Sequence, residues 1–253
     1  MAFDETSTTD DVLEGVRLDG KHALVTGATG GLGIETARAL ASVGASVTIG
    51  GRDPQKIDSA LATLREQVPG ASFDAIEVDL ASLSSIASAT KAFVDTGRTI
   101  DLLINNAGVI DRNASLSELD VDTVEWILDV NVLGPMRVTQ ALLANLSAGK
   151  RKTVVNISSR LGSLAQNGSG GLYGYRESKV ALNMFTVSLA NEFRDEGFIA
   201  VAMNPGWVQT DMGGENAALT PEQSVSGMRS VIEGLTLDDS GTFRAHSGGQ
   251  EPW

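Results

Sequence analysis

The 253-residue sequence has no cysteine, two histidines and only 5% aromatic residues. Without cysteine there is no disulfide, no thiolate-held iron–sulfur cluster, no zinc ribbon and no cysteine nucleophile. His22 and His246 leave little for a histidine metal site or a Ser-His-Asp hydrolase, so no metal is expected. Positive charge is also scarce. Lys and Arg number 19 against 32 Asp and Glu, a formal net charge of −13 that excludes wholesale binding to nucleic acid. No apolar run approaches the roughly 18 residues of a membrane span. The opening Met1-Ala-Phe-Asp-Glu lacks the basic flank and apolar stretch of a signal peptide. A cytoplasmic protein with no membrane partner is the expectation. What is present, 42% hydrophobic and 20% charged residues, is ordinary for a folded chain able to bury a core without staples.

Residues 1–17 are acidic and Ser/Thr-rich, with too few apolar groups to order themselves, and read as a flexible arm. From residue 18 onward the chain alternates. Short β-branched runs stand at 23–26, 45–49, 73–78, 102–104, 153–157 and 198–202, with segments of helical length and pattern at 33–43, 54–67, 82–96, 120–147 and 175–196. The runs are continuously apolar, as strands covered on both faces should be. Strands separated by amphipathic helices predict βαβ units. The expected fold is a single α/β domain over residues 18–253, a doubly wound parallel sheet with helices on both faces.

The first strand run leads into Thr26-Gly-Ala-Thr-Gly-Gly-Leu-Gly33 and at once into the helical 34–40. Glycines in that context permit a tight turn and let the backbone approach a pyrophosphate, which the helix N-terminus then favours. The common G-x-G-x-x-G spacing is not met, because Thr36 stands where glycine or alanine is required. T-G-x-x-x-G-x-G fits through Gly27, Gly31 and Gly33, and T-G-x-x-G-x-x-G through Gly27, Gly30 and Gly33.

Farther on stand Asn105-Asn-Ala-Gly108, Asn131, Asn156-Ile-Ser-Ser159, Tyr175-Arg-Glu-Ser-Lys179 and Pro205-Gly-Trp-Val-Gln-Thr210. Tyr175 and Lys179, four apart on one helix, share a face. A neighbouring ammonium favours phenolate and draws a tyrosine toward the range useful for proton transfer. In this order behind a glycine loop, the motifs make the chain resemble the short-chain dehydrogenase/reductase family, in its compact single-domain branch with a Rossmann fold. The likeness is to small carbonyl reductases of the sniffer and C-factor type, and it covers residues 18–253.

The resemblance implies an oxidoreductase passing hydride between NADP(H) and a carbonyl or secondary alcohol. In it, Tyr175 is the general acid in reduction. Lys179 lowers the tyrosine pKa and bonds the nicotinamide ribose, Ser159 rather than Ser158 polarises the substrate oxygen, and Asn131 anchors a relay water. It places the cofactor on Gly27, Thr29, Gly30, Gly31, Leu32 and Gly33, on Asp79 and Leu80, on Asn106, Ala107 and Gly108, on Tyr175 and Lys179, and on Pro205, Gly206, Trp207, Val208 and Thr210. At the end of the second strand the position that carries an acid in NAD-type relatives is Gly51, and Arg52 follows it, which favours NADP(H) over NAD(H). Asp53 could reach the ribose in a shifted register, or simply cap the helix that starts at Pro54.

Ser159 and Tyr175 are 16 residues apart, more than is usual in the family, and the intervening segment with its five glycines reads as a lengthened loop at the substrate mouth. Residues 205–221 resemble a mobile lid that carries specificity. Trp207 and Met212 wall an apolar pocket or pack in the core, and Arg160 binds an acidic substrate or stays in solvent. The remaining alternatives are a non-catalytic NAD(P)-binding regulator and an epimerase or dehydratase of the same superfamily. The expected partner is a small carbonyl or alcohol, and the chain is a monomer or a homo-oligomer.

Overall fold

The computed structural model describes residues 17–111 and 115–253, so the arm expected over 1–17 lies outside the described residues except for Arg17. The apolar runs form β1 (His22–Thr26), β2 (Ser46–Gly51), β3 (Phe73–Glu77), β4 (Leu102–Asn105), β5 (Thr153–Ile157) and β6 (Ile199–Asn204), and β7 (Phe243–Ala245) joins them. The strands build one sheet in the order β3-β2-β1-β4-β5-β6-β7, every neighbouring pair parallel. Parallel neighbours need crossovers, and helices supply them. These are α1 (Gly31–Ser42), α2 (Pro54–Gln67), α3 (Leu83–Asp95), α4 (Val121–Leu128), α5 (Gly134–Ala141), α6 (Leu143–Ser147), α7 (Tyr173–Glu192) and α8 (Pro221–Gly234). Successive strand residues point to opposite faces. Val25, Ile104, Val155 and Val201 pack with Leu40 of α1 and Met228 of α8. Leu24, Leu103, Val154 and Ala200 pack with Phe93 of α3, Val138 of α5 and Leu189 of α7. Both faces are covered, as the doubly wound reading requires.

Three features depart from the sequence expectations. The helix expected over 120–147 is broken into α4, a π-helical turn at Asp129–Leu133, α5 and α6. Pro135, in the first turn of α5, has no N–H to continue a ladder, and the wider turn before it carries Asn131 to complete burial. The helix expected over 175–196 runs from Tyr173 to Glu192, with a separate 3₁₀ turn at Arg194–Glu196. Finally, α8 and β7 are not among the expected elements. β7 is three residues long with Arg244 at its centre, too short to show a period. α8 did carry a signal: Thr220 and Gln223 form a capping box with Pro221 at the start, and Val225, Met228 and Ile232 follow at helical spacing.

The order reverses between β1 and β4, which sit side by side while their crossovers leave to opposite faces. A crevice opens at such a point beyond the carboxyl ends of the strands.

Candidate active site

A cleft of about 1220 Å³ occupies that position. Its floor is the turn from β1 into α1. Gly27 holds φ +65°, and a side-chain carbon there would fall 2.7 Å from Ala107 Cα. At Gly33 an added carbon would meet the Gly27 carbonyl oxygen at 2.3 Å and Asn106 Nδ2 at 2.6 Å. Asn106 locks the approach by donating Nδ2 to the carbonyls of Thr26 (2.9 Å) and Gly27 (3.1 Å), while its N–H and that of Ala107 reach Thr26 Oγ1. α1 starts behind Gly30 with no side-chain cap, so its first N–H groups face the cleft uncovered. An uncapped helix start on a glycine cradle suits a diphosphate. Gly33→Ala is expected to lower folding stability by about 1–3 kcal/mol through overpacking, measured by urea unfolding. An unchanged midpoint would show that the cradle has room.

The chemistry-bearing side chains converge from β5, the π turn and α7. Tyr175 and Lys179 line the cleft and are buried. Burial raises the pKa of the Tyr175 hydroxyl above the usual phenol value, and the nearby Ser159 side chain pulls it partly back. Ser159 Oγ accepts from Leu161 N–H (3.2 Å), whereas Ser158 donates to Asn183 Oδ1 (2.6 Å). Lys179 Nζ donates to the Ile157 carbonyl (2.8 Å) and lies 5.5 Å from the centre of the Tyr175 ring. Burial lowers the lysine pKa to about 8. Asn131, fully buried, donates to the Val109 carbonyl (2.8 Å) and Ser178 Oγ (3.0 Å) and accepts from Val109 N–H (2.8 Å). The sequence predicted a tyrosine pKa lowered by its lysine. In the structure the shift runs upward, because desolvation of the buried phenol dominates.

Arg52 and Lys56 line the cleft at the end of β2, and among the described residues neither has an ion-pair partner. Gly51 is packed so closely that an added carbon would lie 2.5 Å from Thr29 Cγ2, leaving no room for an acid. Asp53 caps α2, accepting from Gln55 N–H (2.9 Å) and Lys56 N–H (3.3 Å), ahead of Pro54. Of the other predicted residues, Thr29 through Gly33, Asp79, Leu80, Asn106, Ala107, Gly108, Pro205 and Thr210 lie on the cleft wall. Gly206, Trp207 and Val208 belong to the same segment as Pro205 but do not line the cleft, and neither do Asn131 and Ser159.

Residues 207–219 form a closed loop. Leu219 N–H donates to the Trp207 carbonyl (3.0 Å) and Gln209 N–H to the Leu219 carbonyl (2.8 Å). Trp207 is 58% exposed, with its indole N–H bonded to the Gly213 carbonyl (2.9 Å), so it is not a core residue. Three groups were not picked out from the sequence. Lys56 is one turn from Arg52. Asn183, one turn beyond Lys179 on the same face, holds Ser158 and the Gly162 carbonyl (3.1 Å). Arg176, 8% exposed, bonds the carbonyls of Gly171 and Leu161 and the Ser169 hydroxyl, bracing the long loop. The i+4 spacing from Lys179 was an available signal for Asn183; nothing local marks Arg176.

Comparison with known proteins adds an independent line. Residues 21–219 match the family model for short chain dehydrogenase. The C-signal protein of Myxococcus xanthus is 47% identical over 154 residues, spanning 61% of this chain and 93% of that protein. An NADPH-bound carbonyl reductase from chicken fatty liver superposes with a TM-score of 0.85 at 30% identity, covering 93% of this chain and 100% of the other. The carbonyl reductase Sniffer of D. melanogaster superposes with a TM-score of 0.82 at 26% identity, again over 93% and 100% of the two chains.

Proposed function

This chain belongs to the short chain dehydrogenase family, and on that footing we propose that it is an NADPH-dependent carbonyl reductase with Tyr175 as proton donor. The observation that carries the reading is Tyr175 beside buried Lys179 on the wall of a cleft whose floor is an uncapped helix start, with the Ser159 side chain near the tyrosine. The residues fit a dinucleotide. Gly27 through Gly33 and the first turn of α1 would hold the pyrophosphate. Asp79, Leu80, Asn106, Ala107 and Gly108 would border the adenosine, and Arg52 the 2′-phosphate. Pro205 and Thr210 would flank the nicotinamide. When bound, the cofactor supplies a hydride to the carbonyl carbon.

The rest is done by the protein. Ser159 donates a hydrogen bond to the carbonyl oxygen and makes the carbon more electrophilic. Tyr175, a phenol whose pKa burial raises further, is protonated at neutral pH and gives its proton to that oxygen as negative charge develops. Lys179 stands where its ammonium offsets the phenolate left behind, in an environment where charges interact strongly. Asn131 ties the π turn to Val109 and Ser178, so the helix bearing Tyr175 and Lys179 is held against the loop after β4. A non-catalytic nucleotide-binding protein has no use for this pair, nor for a lysine kept desolvated beside it.

Cofactor preference rests on Arg52, with Lys56 beside it and no acid at position 51. A guanidinium meets a phosphate with charge-assisted bonds that it cannot make to a ribose hydroxyl. Comparing kcat/KM for NADPH and NADH is expected to favour NADPH, and Arg52→Ser to lower kcat/KM for NADPH by about 10- to 100-fold with little change for NADH. A native preference for NADH would remove the role assigned to Arg52.

A further inference from the structure

The carboxyl-terminal residues take no part in the chemistry above, yet they touch the loop that follows Ser159 and the loop after β6 that lines the cleft. Glu251 accepts from Gln166 Nε2 through Oε2 (3.1 Å) and from Asn204 Nδ2 through Oε1 (2.7 Å). Gln166 Oε1 in turn accepts from Arg160 Nε, and Arg160 is the residue after Ser159. On the other side, Asn204 Oδ1 accepts from Gly206 N–H (3.1 Å), at the start of the loop that runs over the cleft. The tail is itself anchored. Glu251 N–H donates to the Phe243 carbonyl (2.8 Å), the Trp253 ring stacks on Phe243 with centroids 5.5 Å apart, and the Trp253 carbonyl accepts from Ala165 N–H (2.9 Å).

We propose that Glu251 is a positioning residue, whose carboxylate ties the loop after Ser159 to the loop after β6 and so sets the substrate side of the cleft. The inference rests on the reductase reading for its kinetic consequence but not for the relay itself. The chemistry of the chain of bonds is directional. Arg160 and the Gly206 amide only donate, and a carboxylate only accepts. Gln166 and Asn204 must therefore each turn an oxygen outward and an NH₂ group toward residue 251. Only a side chain that accepts twice satisfies both. Glu251→Gln turns an NH₂ group against one of the two amides. Flipping that amide only passes the conflict on to Arg160 or Gly206. Adding Gln166→Glu repairs it. In the double variant the new amide at position 251 donates to position 166 and still accepts from Asn204, while the new carboxylate at position 166 still accepts from Arg160. The relay also accounts for Arg160, whose Nε serves the loop.

The test is a double-variant cycle in the full-length protein, read by hydrogen exchange. Glu251→Gln and Gln166→Glu singly are expected to speed exchange at residues 160–168 and 205–214 about ten-fold, the size of one lost charge-assisted bond. The double variant is expected to return both segments to within about three-fold of the parent. With NADPH and 4-nitrobenzaldehyde, kcat should fall and recover in the same order, about ten-fold, while the Kd for NADPH stays within about two-fold. Faster exchange confined to residues 243–253, losses that add in the double variant, or an unchanged kcat in Glu251→Gln each overturn the proposal. Gln166 lies on the surface loop, so its single variant keeps the cycle readable if Glu251→Gln fails to fold. A parent enzyme inactive on aldehydes and ketones counts against the reductase reading alone, and the exchange cycle still decides the relay.

Discussion

Tyr175→Phe is expected to lower kcat for carbonyl reduction by roughly 10³-fold, the contribution of a positioned proton donor, while the Kd for NADPH barely moves. The phenyl ring keeps its packing, and Ser159 retains its bond from Leu161 N–H, so the thermal midpoint should change little. That separates a chemical from a structural role. Stopped-flow or steady-state absorbance of NADPH gives the rate, and cofactor fluorescence the affinity. A variant that keeps more than about a tenth of the parent rate would mean that protonation comes from elsewhere. The raised phenol pKa keeps the donor protonated through neutral pH. Reduction should therefore be level in acid and neutral solution and decline only above about 8, where Lys179 loses its charge.

Lys179→Met is expected to act in opposite directions on activity and stability. Loss of the ammonium beside the phenolate should lower kcat by about 10²- to 10³-fold. The folded protein should nevertheless gain. In the unfolded chain the lysine holds its proton up to about 10.5, and in the folded chain only up to about 8. Between these values the unfolded state binds more protons, so stability rises with pH; below about 8 the full cost of the buried charge is present. That cost is roughly 3 kcal/mol, against about 1 kcal/mol for the bond that the Ile157 carbonyl would lose. Methionine fills nearly the same volume without a charge. Thermal unfolding at neutral pH should show a higher midpoint for an almost inactive enzyme, and the difference should shrink between pH 8 and 10.5. A midpoint that drops at pH 7 would show that the lysine is better solvated than its burial implies. With that outcome Lys179 would be a stability–activity trade-off.

Most of this architecture is legible in the sequence because both faces of the sheet are covered. Continuous apolar runs such as Thr153–Ile157 cannot sit at a surface, and the glycine-rich turn after Thr26 has a strand before it and a helix after it. The spacing of Tyr175 and Lys179 on a helix is likewise local information. Less legible are the features set by contacts between distant segments. The break at Asp129–Leu133 depends on burying Asn131 against Val109 and Ser178, which no window of residues around it announces. β7 forms because β6 offers an open edge, not because Phe243-Arg-Ala245 prefers extension. The same holds for Glu251, which near the chain end reads as one more acidic residue in a protein of net charge −13.

By itself the sequence determined the βαβ alternation, the turn that leaves a helix start uncapped, and which residue types could exchange a proton. Hydrophobic period and i,i+4 spacing act over a few residues, so they survive without knowledge of the fold. Only the tertiary structure decided that Ser158 is tied to Asn183 and that Asp53 serves as a helix cap. It also reversed the expected direction of the tyrosine pKa, by burying the phenol. The physical reason is common to all three. Hydrogen-bond partners and desolvation are properties of the packed interior, where segments far apart in the chain come within a few ångströms of each other.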